Sequence, residues 1–168
     1  MNNVVLCGFM GCGKSTVGKN LARKTGRKLI DMDAYIEKKA GMTVSEIFET
    51  YGEQGFRDME HEACKELADM SNLIIASGGG AFTFQRNVEV FKGKDNIVLI
   101  DVPLGIIKYR LRNDTTRPLL QRPDKDRAME ELYNKRLPIY KEACDLVISG
   151  QSTPLKTAYA IIEALKIK

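Results

Sequence analysis

The sequence lacks any apolar run approaching the ~18 residues that a membrane-spanning helix requires, so the bilayer is not an expected partner. No basic segment precedes the first apolar run, "NVVLCG", which breaks at glycine after a few residues. No secretory leader is therefore expected, and the cytosol is the expected compartment. The four cysteines, Cys7, Cys12, Cys64 and Cys144, form no C-x-x-C pair and no zinc-like spacing, which points to free thiols in a reducing environment. The single histidine, His61, lies in a charged stretch without partners at metal-ligand spacing and reads as a surface residue. No internal repeat, low-complexity tract or long linker divides the 168 residues, so one domain spanning 1–168 is expected.

What is present is unevenly spread. Net charge over the whole chain is only +4, which does not call for a nucleic-acid partner. Yet the segment 108–127, "KYRLRNDTTRPLLQRPDKDR", holds seven basic and three acidic residues, an excess equal to that of the entire protein. A local anionic partner is implied. Within it, the stretch from about 112 to 124 is polar, basic and irregular, with Pro118 and Pro123, and is a candidate mobile lid.

Short apolar runs alternate with helical patterns. The runs 3–8, 28–33, 73–80, 97–103 and 145–149 read as five buried strands, and helix-length segments between them argue for a parallel sheet covered on both faces. The spacing of Val17, Leu21 and Ala22 predicts a helix over 14–25 that stops at Gly26. Thr43 and Glu46 fit a capping box before a second helix, a third is expected from about Glu53 to Met70, and Thr153 followed by Pro154 opens a closing helix.

The stretch "GFMGCGKS", Gly8 to Ser15, fits G-x-x-x-x-G-K-[ST] between the first strand and the first helix. Glycines let successive backbone N–H groups turn into one cavity, and the helix N-terminus adds partial positive charge. Lys14 would neutralise terminal phosphates, and Ser15 would offer its hydroxyl to Mg²⁺. Cys12, at a variable loop position, is expected to contribute its backbone N–H alone; Cys7 is expected in the core.

Such a loop names a phosphate donor and leaves the acceptor open. Asp31 and Asp33 follow the second strand two apart, so in an extended segment both carboxylates would face one side, at the ligand-bearing edge of a parallel sheet. An equally good reading makes Asp33 a helix N-cap before "AYIEKKA". The third strand ends in "SGGG", and three glycines, Gly78, Gly79 and Gly80, exceed what a turn needs, favouring close approach of a small polar ligand. Arg57, with Glu60 one helical turn on, and Arg136 carry planar forks suited to a carboxylate. Asp101, at the end of "IVLID", competes with the Asp31/Asp33 pair for a metal-side role.

Together, "GFMGCGKST", "LIDMDAYIE", "GEQGFRDMEHE", "SGGG", "RPLL" and "RLPIY" occur in the order and approximate spacing of shikimate kinases, which the chain resembles over nearly its full length. The resemblance implies a P-loop, nucleoside-monophosphate-kinase-like α/β fold: a five-stranded parallel sheet in the order 2-3-1-4-5 flanked by helices, with a lid at about 112–124 and a substrate-binding region at about 33–61. It implies transfer of the ATP γ-phosphate to the 3-hydroxyl of shikimate, with Mg²⁺ as cofactor, in chorismate and aromatic amino acid biosynthesis. Gly11, Cys12, Gly13, Lys14, Ser15 and Thr16 would wrap the ATP phosphates, with Arg117 closing over them from the lid. Asp31 and Ser15 would lie on the metal side. Asp33 would bind and activate the acceptor hydroxyl, and Lys14, Asp33 and Arg117 would be the catalytic set. Arg57, Arg136 and Gly78 to Gly80 would hold the acceptor.

On this reading Asp101 is strand-end structure, Arg117 accounts for the local positive charge, and the adenine contact is open among Gln151, Ser152 and Thr153. A monomer with no nucleic-acid or membrane partner is expected. The alternatives are a kinase of the same fold acting on gluconate or a nucleoside monophosphate, a non-catalytic nucleotide sensor, or a basic RNA-binding module.

Overall fold

The computed structural model describes residues 1–168. Five parallel strands, β1 (Val4–Cys7), β2 (Lys28–Asp31), β3 (Leu73–Ala76), β4 (Asn96–Asp101) and β5 (Leu146–Ser149), form one sheet in the order β2-β3-β1-β4-β5. The register pairs Val4 with Ile74 on one side and with Asn96 on the other. β1 and β3 are buried along their whole length, as continuous apolar runs with helices on both faces must be. The strands are shorter than the apolar runs suggest: β3 stops at Ala76, and the remainder of the predicted run, "SGGG", is turn.

Seven helices connect and close the sheet: α1 (Lys14–Thr25), α2 (Met32–Ala40), α3 (Val44–Ala68), α4 (Gln85–Phe91), α5 (Leu104–Arg110), α6 (Lys125–Ala143) and α7 (Pro154–Leu165). Their boundaries follow local chemistry. The Thr43 hydroxyl accepts from Glu46 N–H while the Glu46 carboxylate accepts from Thr43 N–H, a reciprocal cap on the start of α3. α3 is broken at Gly52, whose φ of 71° and ψ of −178° are not helical, so the two helices expected on either side of residue 52 run on as one kinked element. Thr153 caps α7, with Pro154 in its first turn.

Most of the core lies around the sheet, with Leu6, Leu21, Ile74, Ile75, Phe82, Phe91 and Tyr140 fully or almost fully buried. A second small cluster, Ile36, Ile47, Phe56 and Ala63, joins α2 to α3 away from it. Burying a side chain such as Ile47 contributes about 1.5–3 kcal/mol, so this helical pair carries its own apolar adhesive. His61 is half-buried, its Nδ1 2.8 Å from Asn87 Oδ1, and is not the free surface residue expected. Because the Asn87 amide nitrogen already donates to the Ala81 carbonyl, Oδ1 accepts and Nδ1 of His61 carries the proton.

The strand order decides what comes next. With β1 between β3 and β4, and β3 beside β2, the segments leaving β1, β3 and β2 at their carboxyl ends lie side by side. They are the glycine-rich loop, the "SGGG" turn and the Asp31 to Asp33 segment.

Candidate active site

At that edge lies a cavity of about 540 Å³. Gly11, Gly13, Lys14, Ser15 and Thr16 form one wall, Asp31 and Asp33 a second, Ser77, Gly78 and Gly79 a third, and Arg110, Leu111 and Arg117 the rim. Most of the sequence-predicted residues therefore meet in one basin. Arg57, Gly80 and Arg136 lie at the glycine turn without lining this basin, while Asp101 lines other hollows and not this one.

The loop turns through left-handed backbone at Gly11 and Gly13, with φ of 75° and 97°, a conformation disfavoured for residues bearing a Cβ. Lys14 Nζ donates to the carbonyls of Gly8 at 2.6 Å and Phe9 at 3.3 Å, drawing the loop closed. Cys12 departs from its expected part. Its N–H donates to the Phe9 carbonyl at 3.1 Å and its side chain is buried at 2% exposure. In this conformation it braces the loop from behind, and neither group faces the basin.

The aspartates are in the expected place for a different reason. Asp31 is the N-cap of α2, with Oδ1 accepting from Ala34 N–H at 3.0 Å; Asp33 is one residue inside the helix, so the pair is neither in an extended segment nor capped at Asp33. Burial is the main cause that holds the Asp33 carboxyl above its ordinary pKa, and repulsion from Asp31 adds to it, against the opposing pull of Lys14 and Arg57.

The three glycines each admit a different side chain. A Cβ on Gly78 would lie 2.8 Å from Asp33 Oδ1, one on Gly79 would lie 3.6 Å from an Arg136 nitrogen, and one on Gly80 would lie 2.7 Å from Arg57 Nη2. None of the three has positive φ. The triplet is thus a bare wall against which the polar residues pack directly, and its immediate occupants are the protein's own side chains.

Arg57 is pinned from several sides. Nη1 donates to Glu60 Oε1 at 2.9 Å, and the guanidinium lies over the rings of Phe56 and Phe84 at 5.3 and 5.0 Å. Its Nε is buried without a hydrogen-bond partner. Glu60 itself is only 1% exposed, and burial outweighs the stabilising Arg57 so that its carboxyl is also held above its ordinary value. Arg136 donates to the Gly79 carbonyl at 3.4 Å, and Tyr140 donates to the same oxygen.

On the rim, Asp114 accepts from the N–H groups of Thr116 and Arg117 and pairs with the Arg117 guanidinium. Arg110, not singled out in the sequence, donates to the carbonyls of Gly11 at 3.2 Å and Gly150 at 2.7 Å, bridging the phosphate loop and the turn after β5. Its only signal was membership of the basic segment. The local positive charge is therefore shared among several sites and is not the property of Arg117 alone.

Arrayed donors and cations opposite a carboxylate of raised proton affinity suit phosphoryl transfer to a hydroxyl. The family model described as "Shikimate kinase" matches residues 10–166. A shikimate kinase from Thermodesulfovibrio yellowstonii is 39% identical over 97% of this chain and 94% of its own. The solved shikimate kinase from Acinetobacter baumannii in complex with shikimate is 36% identical, with a TM-score of 0.91 over 99% of this chain and 93% of that one. A gluconokinase from Sinorhizobium meliloti superposes with a TM-score of 0.59 over 98% of this chain and 93% of its own, at 16% identity, a likeness of fold alone.

Proposed function

Since the chain belongs to the shikimate kinase family, we infer that its basin brings ATP and shikimate together, with the two substrates divided between the glycine-rich loop and the bare glycine wall. The protein is an ATP-using phosphotransferase that phosphorylates a hydroxyl group of shikimate, a step in aromatic biosynthesis. The alternatives weighed for the sequence, a gluconate or nucleotide kinase, are not favoured.

The observation that carries the division of labour is the convergence of Asp33, Arg57 and Arg136 on Gly78, Gly80 and Gly79, across one basin from Lys14. Arg57 and Arg136 offer two cationic forks to the shikimate carboxylate. Asp33 then takes the proton of the 3-hydroxyl as that oxygen bonds to the γ-phosphorus and the bond to the ADP oxygen breaks. A raised proton affinity makes Asp33 a better acceptor for that proton than an ordinary carboxylate. The loop from Gly11 to Thr16 cradles the phosphates, and Lys14 and Arg117 offset charge on the group in transfer. Segment 112–124 acts as the lid and 33–61 as the acceptor-binding region, the latter supported by the separate cluster between α2 and α3.

The exposed Ser15 hydroxyl and the Asp31 carboxylate, whose Oδ1 alone is engaged as a cap, supply hard oxygen donors on the same basin. Two hard oxygen donors suit Mg²⁺, which keeps water and phosphate ligands for the rest of its shell. Ser15 and Asp31 would hold the ion, which would supply positive charge against the phosphates of the nucleotide. No helix is long and apolar enough to cross a membrane. Our reading is a cytosolic monomer, and four free thiols suit the reducing compartment in it.

The test is Mg²⁺-dependent ADP release over a panel of shikimate, quinate, gluconate and nucleoside monophosphates. Turnover with shikimate is expected; its absence would overturn the assignment. A second expectation isolates the glycine wall. Gly80→Ala should raise KM for shikimate about tenfold or more, the scale of a charge-assisted hydrogen bond, because the new methyl collides with a guanidinium that Glu60 and two rings prevent from moving aside. KM for ATP should hold within about twofold; equal losses for both substrates would contradict the division.

A further inference from the structure

The seven basic residues between Lys108 and Arg127 do not share one task. Arg110 and Arg117 line the basin. Arg122 and Arg127 pair with Asp124 and Glu131. The other three, Lys108, Arg112 and Lys125, line a separate cavity of about 210 Å³ between α5, the lid and the start of α6. None of the three belongs to any ion pair of the protein.

The cavity is built as well as charged. Its floor is apolar, formed by Leu111, Leu120 and Met129, which are 8%, 7% and 2% exposed. Arg112 is held in place: Nη1 donates to the Tyr109 carbonyl at 2.6 Å, and the guanidinium lies 3.8 Å from the centre of the Tyr109 ring, leaving its remaining N–H groups to other partners. Asp126 is the one carboxylate in the lining. The lining thus sets three cations against one carboxylate beside an apolar floor, a net positive local field. A multiply charged anion among them would offset that field.

We propose that this cavity is a second oxyanion site, distinct from the substrate basin, that takes a group of the phosphate class. Leu111 couples it to the first. That side chain lines both cavities, and its Cγ lies 3.0 Å from where a Cβ on Gly11 would be. An anion that gathers Lys108, Arg112 and Lys125 therefore fixes the residue that backs the phosphate loop, and occupancy of the outer site alters nucleotide affinity.

The test is calorimetric titration of inorganic phosphate into the full-length enzyme saturated with Mg²⁺, ADP and shikimate, at fixed ionic strength. Binding of phosphate is expected. In the double variant K108Q/K125Q its affinity should fall at least tenfold, while thermal stability in phosphate-free buffer is maintained, because neither lysine belongs to an ion pair. Arg117→Gln should leave phosphate binding unchanged. A parallel titration with glycerol phosphate separates a site for the free anion from one for a phosphate monoester. Failure of both probes to bind overturns the proposal. So does binding that K108Q/K125Q leaves intact, or binding that Arg117→Gln abolishes, which would place the anion in the basin. Arg112→Gln, a single change at an exposed position, repeats the test should the double variant fail to fold.

Discussion

Replacing Asp33 with alanine is expected to lower kcat by about 10²–10⁴-fold, the usual contribution of a positioned general base, while ATP binding persists. On the proposed function the nucleotide falls to the loop from Gly11 to Thr16, and Asp33 lies on another wall of the same basin. Asp33→Asn provides the sharper comparison. It preserves the shape packed against Gly78 while removing the negative charge and with it the capacity to take a proton, so its kcat should fall with the alanine variant's. An asparagine enzyme with near-normal kcat, or an alanine enzyme that no longer binds ATP, would remove Asp33 from the role of base.

The pH dependence follows from the same residue. As pH falls through the raised pKa of Asp33, the carboxylate is protonated and the base is lost, so kcat/KM should decline on an acid limb that lies above the ordinary carboxylate range. Stability runs the other way. Burial raises both Asp33 and Glu60, so their contribution to folding is fully present below the carboxylate pKa of the unfolded chain and is lost as pH rises through the folded values. Asp33→Asn should therefore flatten the decline in stability of the ligand-free protein towards neutral pH, measured by denaturant unfolding across a pH series.

Arg117→Ala is expected to lower kcat by about 10³-fold or more, the range for an arginine that meets charge on a transferring phosphoryl group. The affinity for shikimate should change little, since the residue stands on the rim by Leu111 and not at the glycine turn. Its guanidinium is paired with Asp114, whose carboxyl is held below the ordinary range chiefly by the Thr116 N–H. That ties Arg117 to an ordered turn within an otherwise irregular stretch. Single-turnover measurement of phosphoryl transfer separates the chemical step from nucleotide binding; a change of only a few fold would make Arg117 a surface cation.

The parts of this architecture that depend on local sequence were legible without coordinates. Apolar runs located all five strands, and the capping pair Thr43 and Glu46 located the start of α3. The glycine-rich loop announced itself by spacing. What local sequence could not contain was the identity of neighbours. Asp31 and Asp33 read equally well as a pair facing a ligand from an extended segment or with Asp33 as the cap of a helix, whereas the helix begins two residues before the start that an Asp33 cap implies, and Asp31 caps it. Cys12 was expected to offer its N–H to phosphate, but the turn that closes on Phe9 uses that group.

His61 has no helical-spacing partner because its partner, Asn87, is on another helix. Arg110 shows why a basic segment is hard to apportion from sequence. Which of its cations faces the basin depends on the path of the chain after α5, and no periodicity encodes that path. The family resemblance supplied the roles of Asp33, Arg57 and Arg136; the structure adds the physical reason that Gly78 and Gly80 bear no side chain, since a Cβ there would crowd Asp33 and Arg57.

That glycine wall bears on how the enzyme could escape inhibition. A compound that fills the space against Gly78 to Gly80 would meet a surface with no side chain to trim or enlarge. A substitution at Gly78 or Gly80 that intrudes on the compound also crowds Asp33 or Arg57, and so disturbs the reaction that the escape would need to preserve. Routes to resistance would be pushed outward, to the rim around Leu111 and Arg117, where side chains face the basin without being wedged against backbone.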